Sequence, residues 1–459
     1  MFPPFPQESA RHYCQKLISL IEKGQVQLKQ CGRESLERKG QGLMIGALVC
    51  WEKNDSLEAG GRRVLLYAVS GNNRQLKLSN PDENPFSEKS IFVPSIVPPQ
   101  KIDEALKEND LAIHKLTDQI NELTLVSKNS PEVRKLLSER RALTDASLAK
   151  VFSLYSFTCV EGKKLSLQDI IRQHQGKLPP TGTGDCCAPK LLSYAFSKGL
   201  EPVSMDEVYY GRDTKHKQNG ISYPPCDERC GYILPAILGV EILYRDSQLV
   251  VINKQSGLLS VPGRGEEKQD CAEARVRKLF PLAPKQCAVH RLDMETSGIL
   301  VFALNAEVHR KLNEAFAAGQ VHKKYIALLD GILYGKPEGR IELPFRLDPD
   351  NRPHQIYDPV NGKTGITEWK KLGVEELETP AGVKKVTRIE FSPLTGRTHQ
   401  LRLAASCPEK LCGLGHPIAG DSLYGTCGEG ERLMLHAREI NFCHPVSGEM
   451  LHIICEPEF

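Results

Sequence analysis

The spacing of apolar residues changes several times along the chain, and each change predicts an element. Ser9 to Lys23 carries Leu17, Ile18 and Ile21 at helical spacing, which predicts a short helix. Leu43 to Cys50 and Val64 to Val69 read as strands, separated by a charged turn around Gly60-Gly61. Pro94 to Pro99 then forms a proline-punctuated exit. Residues 1–100 are therefore read as a small mixed α/β domain, without recognisable chemistry.

From residue 101 the period becomes helical. Leu106, Ile113, Leu116, Ile120 and Leu123 include a 3-4-3 run, the seam of a coiled coil. Ser130-Pro131-Glu132 is a helix start, and Val133, Leu136, Leu137 and Leu143 follow it. Residues 101–178 are read as a helical hairpin turning near Lys128-Asn129-Ser130. It serves as a spacer or a dimer seam, or as an arm along RNA that uses Arg134, Lys135, Arg140 and Arg141.

Residues 179–238 are richer in loops, with Gly and Pro at the start and Cys at both ends. Residues 239–459 return to strands. Val240 to Asp246 and Leu249 to Lys254 form a pair, 268–280 is helical, and Ile299 to Leu304 is a buried strand. Asn305 caps a helix with Val308, Leu312 and Phe316 on one face, ending near Gly319. Val321 to Leu329, Thr364 to Leu372 and Val386 to Phe391 are further strands. Strands outnumber helices, so the expected class is α+β.

Composition adds few constraints. The 459 residues are 40% hydrophobic and 25% charged, ordinary for a globular protein. No apolar run reaches the roughly 18 residues that span a bilayer. The N-terminus lacks the basic and apolar regions of a secretory signal, so a cytoplasmic protein is expected. Net charge is +3, with about +4 in residues 1–240 and about −1 in 241–459. Any nucleic acid bound by the C-terminal half must therefore meet a local basic cleft, not bulk charge. The 15 cysteines are an odd number, scattered, and unlike a disulfide framework. Cys186, Cys187, Cys226 and Cys230 are the exception: four thiolates could hold one zinc. Cysteines packed as small hydrophobes are the alternative.

Candidate chemistry is concentrated in the C-terminal half. His290-Arg291-Leu292-Asp293-Met294-Glu295-Thr296-Ser297-Gly298 precedes the buried strand. Alone it could be a turn in which Asp293 caps nearby amides. Three further segments carry too many functional groups to be core: His322 to Leu328, Gly396 to Arg402, and Gly415 to Gly425. Leu435-His436-Ala437-Arg438 with His444-Pro445 closes the chain; its histidines fit no common zinc spacing.

In this order the segments resemble the RluA-type pseudouridine synthase family, over roughly residues 240–459. His290 to Asp293 with Thr296-Ser297-Gly298 matches the family's catalytic aspartate loop. Lys324-Tyr325 with Ala327 matches its tyrosine strand, and Gly396 to Arg402 its third motif. The resemblance implies a mixed, mainly antiparallel sheet with a central catalytic cleft. It implies isomerisation of uridine in rRNA or tRNA, with RNA as partner and no cofactor for catalysis. Asp293 is the implied catalytic carboxylate, Tyr325 lies against the uracil, and Arg402 keeps Asp293 ionised from within about 4–6 Å. Arg291 replaces the extracted nucleotide, and Leu401 packs under the uracil. Lys324, Arg397 and Thr398 contact phosphate or shape the loops. The rivals are a non-catalytic RNA-binding protein on the same fold and a metal-dependent nuclease. The second would need clustered carboxylates, and the motifs offer one central Asp.

Overall fold

A computed structural model of the protein describes residues 4–31, 42–52, 62–86, 88–126, 130–174 and 176–459. The chain divides into two compact units, Met1–Gly239 and Val240–Phe459. The division falls where the sequence pattern changes. The segments 1–100, 101–178 and 179–238 all lie in the first unit.

The reason lies in the sheet of that unit. Its strands run in the order Lys89–Phe92, Arg63–Val69, Leu43–Trp51, Glu201–Tyr210. The segment expected to be mostly loop thus supplies an edge strand. Glu201–Tyr210 was hidden by its acids, Asp206 and Glu207, which are both buried. Asp206 is satisfied by Gln7 at 2.9 Å, Arg11 at 3.1 Å and Ser222 at 2.6 Å. Leu43–Trp51 reads as one apolar run because both its faces are covered. The helix Glu8–Glu22 packs against one region of it, where Cys14 Sγ donates to Ile45 O at 3.6 Å. The helix Cys187–Ser197 approaches closely at Gly46, whose absent Cβ would sit 2.5 Å from Cys187 Cβ. A small two-stranded sheet, Val26–Gln30 with Arg74–Leu78, was not anticipated.

The helical hairpin consists of Pro99–Val126 and Pro131–Ser153, 28 and 23 residues long. Ser130 caps the second helix by accepting from Val133 N–H at 3.1 Å. Ile120 and Val133 are buried, and Asn109 donates to Ser147 across the pair at 3.0 Å. The expected turns at Gly60-Gly61 and at Lys128-Asn129 lie outside the described residues.

The second unit is built on a mixed, mainly antiparallel sheet of ten strands among the described residues. Its main path is Gln355–Tyr357, Glu338–Leu347, Lys363–Thr379, Gly382–Pro393, His322–Asp330, Leu435–Cys443, Ser297–Ala303, Leu249–Lys254, Glu241–Arg245. Met450–Ile454 adds to Leu435–Cys443. The parallel pairing is short, Ser297 with His436 and Gly298 with Ala437. Gly298 is required there: its φ is +111°, and a Cβ would lie 2.4 Å from Ala437 O. Apolar residues form one cluster around Leu329, Phe391, Leu401 and Leu435, and another around Val251, Val301, Leu312 and Phe442. No described helix is long and apolar enough to cross a membrane.

Candidate active site

Asp293 sits half-buried on the loop that leads into the strand Ser297–Ala303. That loop is fastened by the segment after Leu249–Lys254. Ser260 Oγ accepts from Leu292 N–H at 3.0 Å and donates to Leu292 O at 2.7 Å. Ser256 Oγ donates to Glu295 O at 2.6 Å, and Gly257 N–H to Met294 O at 2.9 Å. Thr296 N–H closes the turn onto Asp293 O at 3.1 Å. Ser256, Gly257 and Ser260 therefore tie the backbone on both sides of Asp293.

Lys254, absent from the sequence-based candidates, is the centre of this fastening. Its side chain is fully buried, and Nζ donates to Gln255 O at 3.0 Å, Leu258 O at 2.7 Å and Met294 O at 2.9 Å. Three acceptors match the three protons of an ammonium. Burial pushes its pKa down to about 7, and the nearby Asp293 charge opposes that fall.

Tyr325 enters the same region from the strand His322–Asp330, half-buried and packed against the cluster that holds Leu401. Burial, reinforced by Asp293, raises its phenol well above the usual range. Leu401 is 7% exposed and immediately precedes Arg402 in the helix Gln400–Ser406. The segment Gly415 to Gly425 is drawn in by Ala419 N–H donating to Leu328 O at 2.8 Å. It delivers Asp421, Ser422 and Tyr424.

Arg402 is not arranged as the sequence suggested. Its Nε and Nη2 donate to Asp421 at 2.9 and 2.5 Å, and Nη2 also reaches Glu295 Oε2 at 2.9 Å. Asp293 acts on the guanidinium through space, without replacing these partners. Burial opposes the guanidinium charge, but Asp421, Asp293 and Glu295 together raise its pKa. Glu295 is further held by Ser422 Oγ at 2.8 Å. The Asp293 loop and Arg402 are thus joined through Glu295.

Two more groups complete the surroundings of Asp293. His399 is buried, with φ +56° in the left-handed region, rare outside glycine. Its Nδ1 lies 2.8 Å from the Tyr424 hydroxyl, which accepts from Gln355 N–H at 2.7 Å. Burial lowers the His399 pKa, and the Asp293 charge opposes that fall. Burial pushes Tyr424 up to about 12. Lys254, Tyr325, His399, Arg402 and Tyr424 all feel the Asp293 charge.

The remaining candidates divide. Arg291, Arg397 and Thr398 are exposed on the loops. Lys324 is not with them; its ammonium lies 3.5 Å from Glu390 and 3.8 Å from Glu439. Lys323 takes the place nearer the third motif, 3.9 Å from where a Gly396 Cβ would be and 5.7 Å above the Phe316 ring. His290 stacks on Phe316 at 5.0 Å and accepts from Val301 N–H at 3.2 Å; burial holds it at about 3. His436 bridges Ser297 at 2.9 Å and Cys455 O at 2.9 Å. Both histidines shape the loop.

The expected four-cysteine set also changes. Cys186, Cys226 and Cys230 come together, but Cys187 does not join them. It is fully buried, and Sγ donates to Met44 O at 3.3 Å and Ala68 O at 3.6 Å. Neighbouring residues at a helix start point about 100° apart, so one turns to the sheet and the other away.

The family described as RNA pseudouridylate synthase matches residues 248–406. The dual-specificity RNA pseudouridine synthase RluA of Yersinia pestis is 40% identical over 221 residues, 48% of this chain and 99% of the relative. The Escherichia coli K12 protein of the same name is 38% identical over 224 residues, 48% of this chain and 93% of the relative. Human RNA pseudouridylate synthase domain containing 1 is a solved structure similar at 28% identity and TM-score 0.38. The match covers 48% of this chain and 84% of that one.

Proposed function

The chain belongs to the RluA-type RNA pseudouridine synthase family, and from that premise we propose that Asp293 acts on the ribose of a target uridine in rRNA or tRNA. The N1–C1′ bond breaks, the uracil turns, and C5 bonds to C1′. The C5 proton is released and N1 gains one, so the reaction is redox-neutral and needs no group donor or organic cofactor. Asp293 either attacks C1′ or removes the C2′ proton. The supporting observation is that one half-buried carboxylate lies within the field of Lys254, His399 and Arg402, on a loop pinned on both sides.

Tyr325 and Leu401 form an apolar wall suited to a flipped uracil. The raised pKa of Tyr325 keeps its phenol protonated at neutral pH. If it takes the C5 proton, it must release its own in the same step. Exposed Arg291 is suited to filling the gap left by the extracted base. Arg397 and Thr398 are suited to phosphate. Lys324, paired with Glu390 and Glu439, is left out of this set. The proposed setting is the cytoplasm, where these RNAs are held. Tritium release from RNA carrying 5-tritiated uridine tests the reading. Asp293→Asn should abolish release while RNA binding survives; substantial turnover by that variant would remove Asp293 from the mechanism.

A further inference from the structure

Cys186, Cys226 and Cys230 belong to the first unit, not to the unit that carries Asp293. Their sulfurs all lie within 4.8 Å of one another, although 40 residues separate the first from the second. A tetrahedral zinc with bonds of about 2.3 Å would hold its sulfurs about 3.8 Å apart, so small side-chain adjustments suffice. We propose that these three cysteines bind one Zn²⁺ as thiolates, with a solvent molecule in the fourth position. Three thiol protons leave to solvent as the ion binds.

The surroundings favour thiolates over packed thiols. Cys186 is the residue before the helix Cys187–Ser197, where Ala188 N–H donates to the buried Glu207 carboxylate at 2.9 Å. Cys230 begins the helix Cys230–Leu238, and the N–H groups of Arg229 and Cys230 face the Cys226 sulfur. The starts of two helices therefore stand beside the sulfurs, where the helix dipoles favour negative charge. Cys226 is exposed and Cys186 half-buried, which gives an ion a route in. Soft sulfur ligands select zinc over magnesium or calcium.

The position of the site also gives it a task. Residues 211–229 form no helix or strand beyond one bridge, Ser222 with Val208. That stretch offers Ile221 and Tyr223 as its large apolar residues. The ion would tie its end, Cys226 and Cys230, to the start of a buried helix that packs on the sheet. Cys186 also lines a cavity of about 510 Å³, together with Thr181, Gly182, Asp185 and Arg229. Three protein ligands beside open space make a site with one exchangeable position. The ion lies outside the catalytic unit, so the inference stands independently of the proposed role of Asp293.

The full-length chain, purified without a polyhistidine tag, provides the test. Elemental analysis should find about one zinc per chain, because a thiolate site of this kind is nearly filled after purification. Cys226→Ser and Cys230→Ser should each fall below about 0.2 zinc per chain, while Cys187→Ala retains the ion. Should a variant fail to fold, cobalt substitution of the wild-type protein supplies the second reading. The sulfur-to-cobalt absorption should have the intensity of three thiolates. Wild-type protein with less than about 0.2 zinc, or four-thiolate absorption, would overturn the proposal. So would a disulfide among the three, seen by mass spectrometry without reduction.

Discussion

Arg402 grips Asp421 through two hydrogen bonds, Nε to Oδ2 at 2.9 Å and Nη2 to Oδ1 at 2.5 Å, with 2% and 0% of the side chains exposed. Asp421 Oδ1 also accepts from Leu423 and Tyr424 N–H at 2.9 and 3.1 Å. The pair therefore anchors the third motif to the Gly415–Gly425 segment as well as supplying positive charge beside Asp293.

Arg402→Met leaves the buried Asp421 carboxylate without its cation. Loss of one member of a buried ion pair costs roughly 3–5 kcal/mol. The variant should unfold at markedly lower urea concentration, besides losing turnover. Arg402→Lys keeps a charge but not the two-pronged geometry, and should fall between. A denaturation midpoint unchanged in Arg402→Met would show that Asp421 is satisfied without it.

Lys254 predicts a pH dependence. Its folded pKa is pushed down to about 7, against about 10.4 in an unfolded chain. Between those values the unfolded chain binds more protons, so the Lys254 contribution to stability rises with pH across this window. Lys254→Met should flatten that slope, and should itself destabilise by about 1–3 kcal/mol because buried carbonyls lose their donor. Urea unfolding at pH 7 and pH 9, wild type against variant, checks the sign. A steeper rise in the variant would contradict it.

Tyr325→Phe keeps the ring against the Leu401 cluster and removes only the hydroxyl. Folding should be unchanged. If the phenol transfers the C5 proton, kcat should fall by about 10²–10⁴ with KM little altered. Tritium release under saturating RNA distinguishes the steps. A variant with unaltered kcat would reduce Tyr325 to a packing surface.

Gly298→Ala places a methyl 2.4 Å from Ala437 O at a φ of +111°. The backbone strain alone costs of order 1–3 kcal/mol, before the clash is counted. The strand Ser297–Ala303 would be forced from Leu435–Cys443, and the Asp293 loop with it. Thermal unfolding should shift down sharply. A melting temperature within a degree of wild type would show that the two strands separate easily.

Periodicity and the ordered motifs determined much of this protein. The helix starting after Asn305 is Ala306–Ala317, capped by Asn305 at 2.9 Å from Val308 N. The paired helices and the central strands likewise follow local patterns of 3.6 and 2 residues, which burial of one face enforces. Asp293 and Tyr325 were legible because their motifs carry functional groups that a core would exclude. The tertiary structure alone decided what those groups meet. Lys254 looked like the end of an apolar strand until its ammonium was seen beneath Met294, and Glu201–Tyr210, within a segment read as rich in loops, is a strand whose Asp206 and Glu207 have buried partners. Arg402 was paired with Asp293 because it matches the family's basic residue in the third motif; Asp421, 19 residues on, is what holds it by hydrogen bonds, with Asp293 acting through space. Cys187 stood beside Cys186 in the chain but turned to the sheet. Spacing along a chain specifies which face a side chain takes; which partner satisfies a buried charge depends on the segments folded against it.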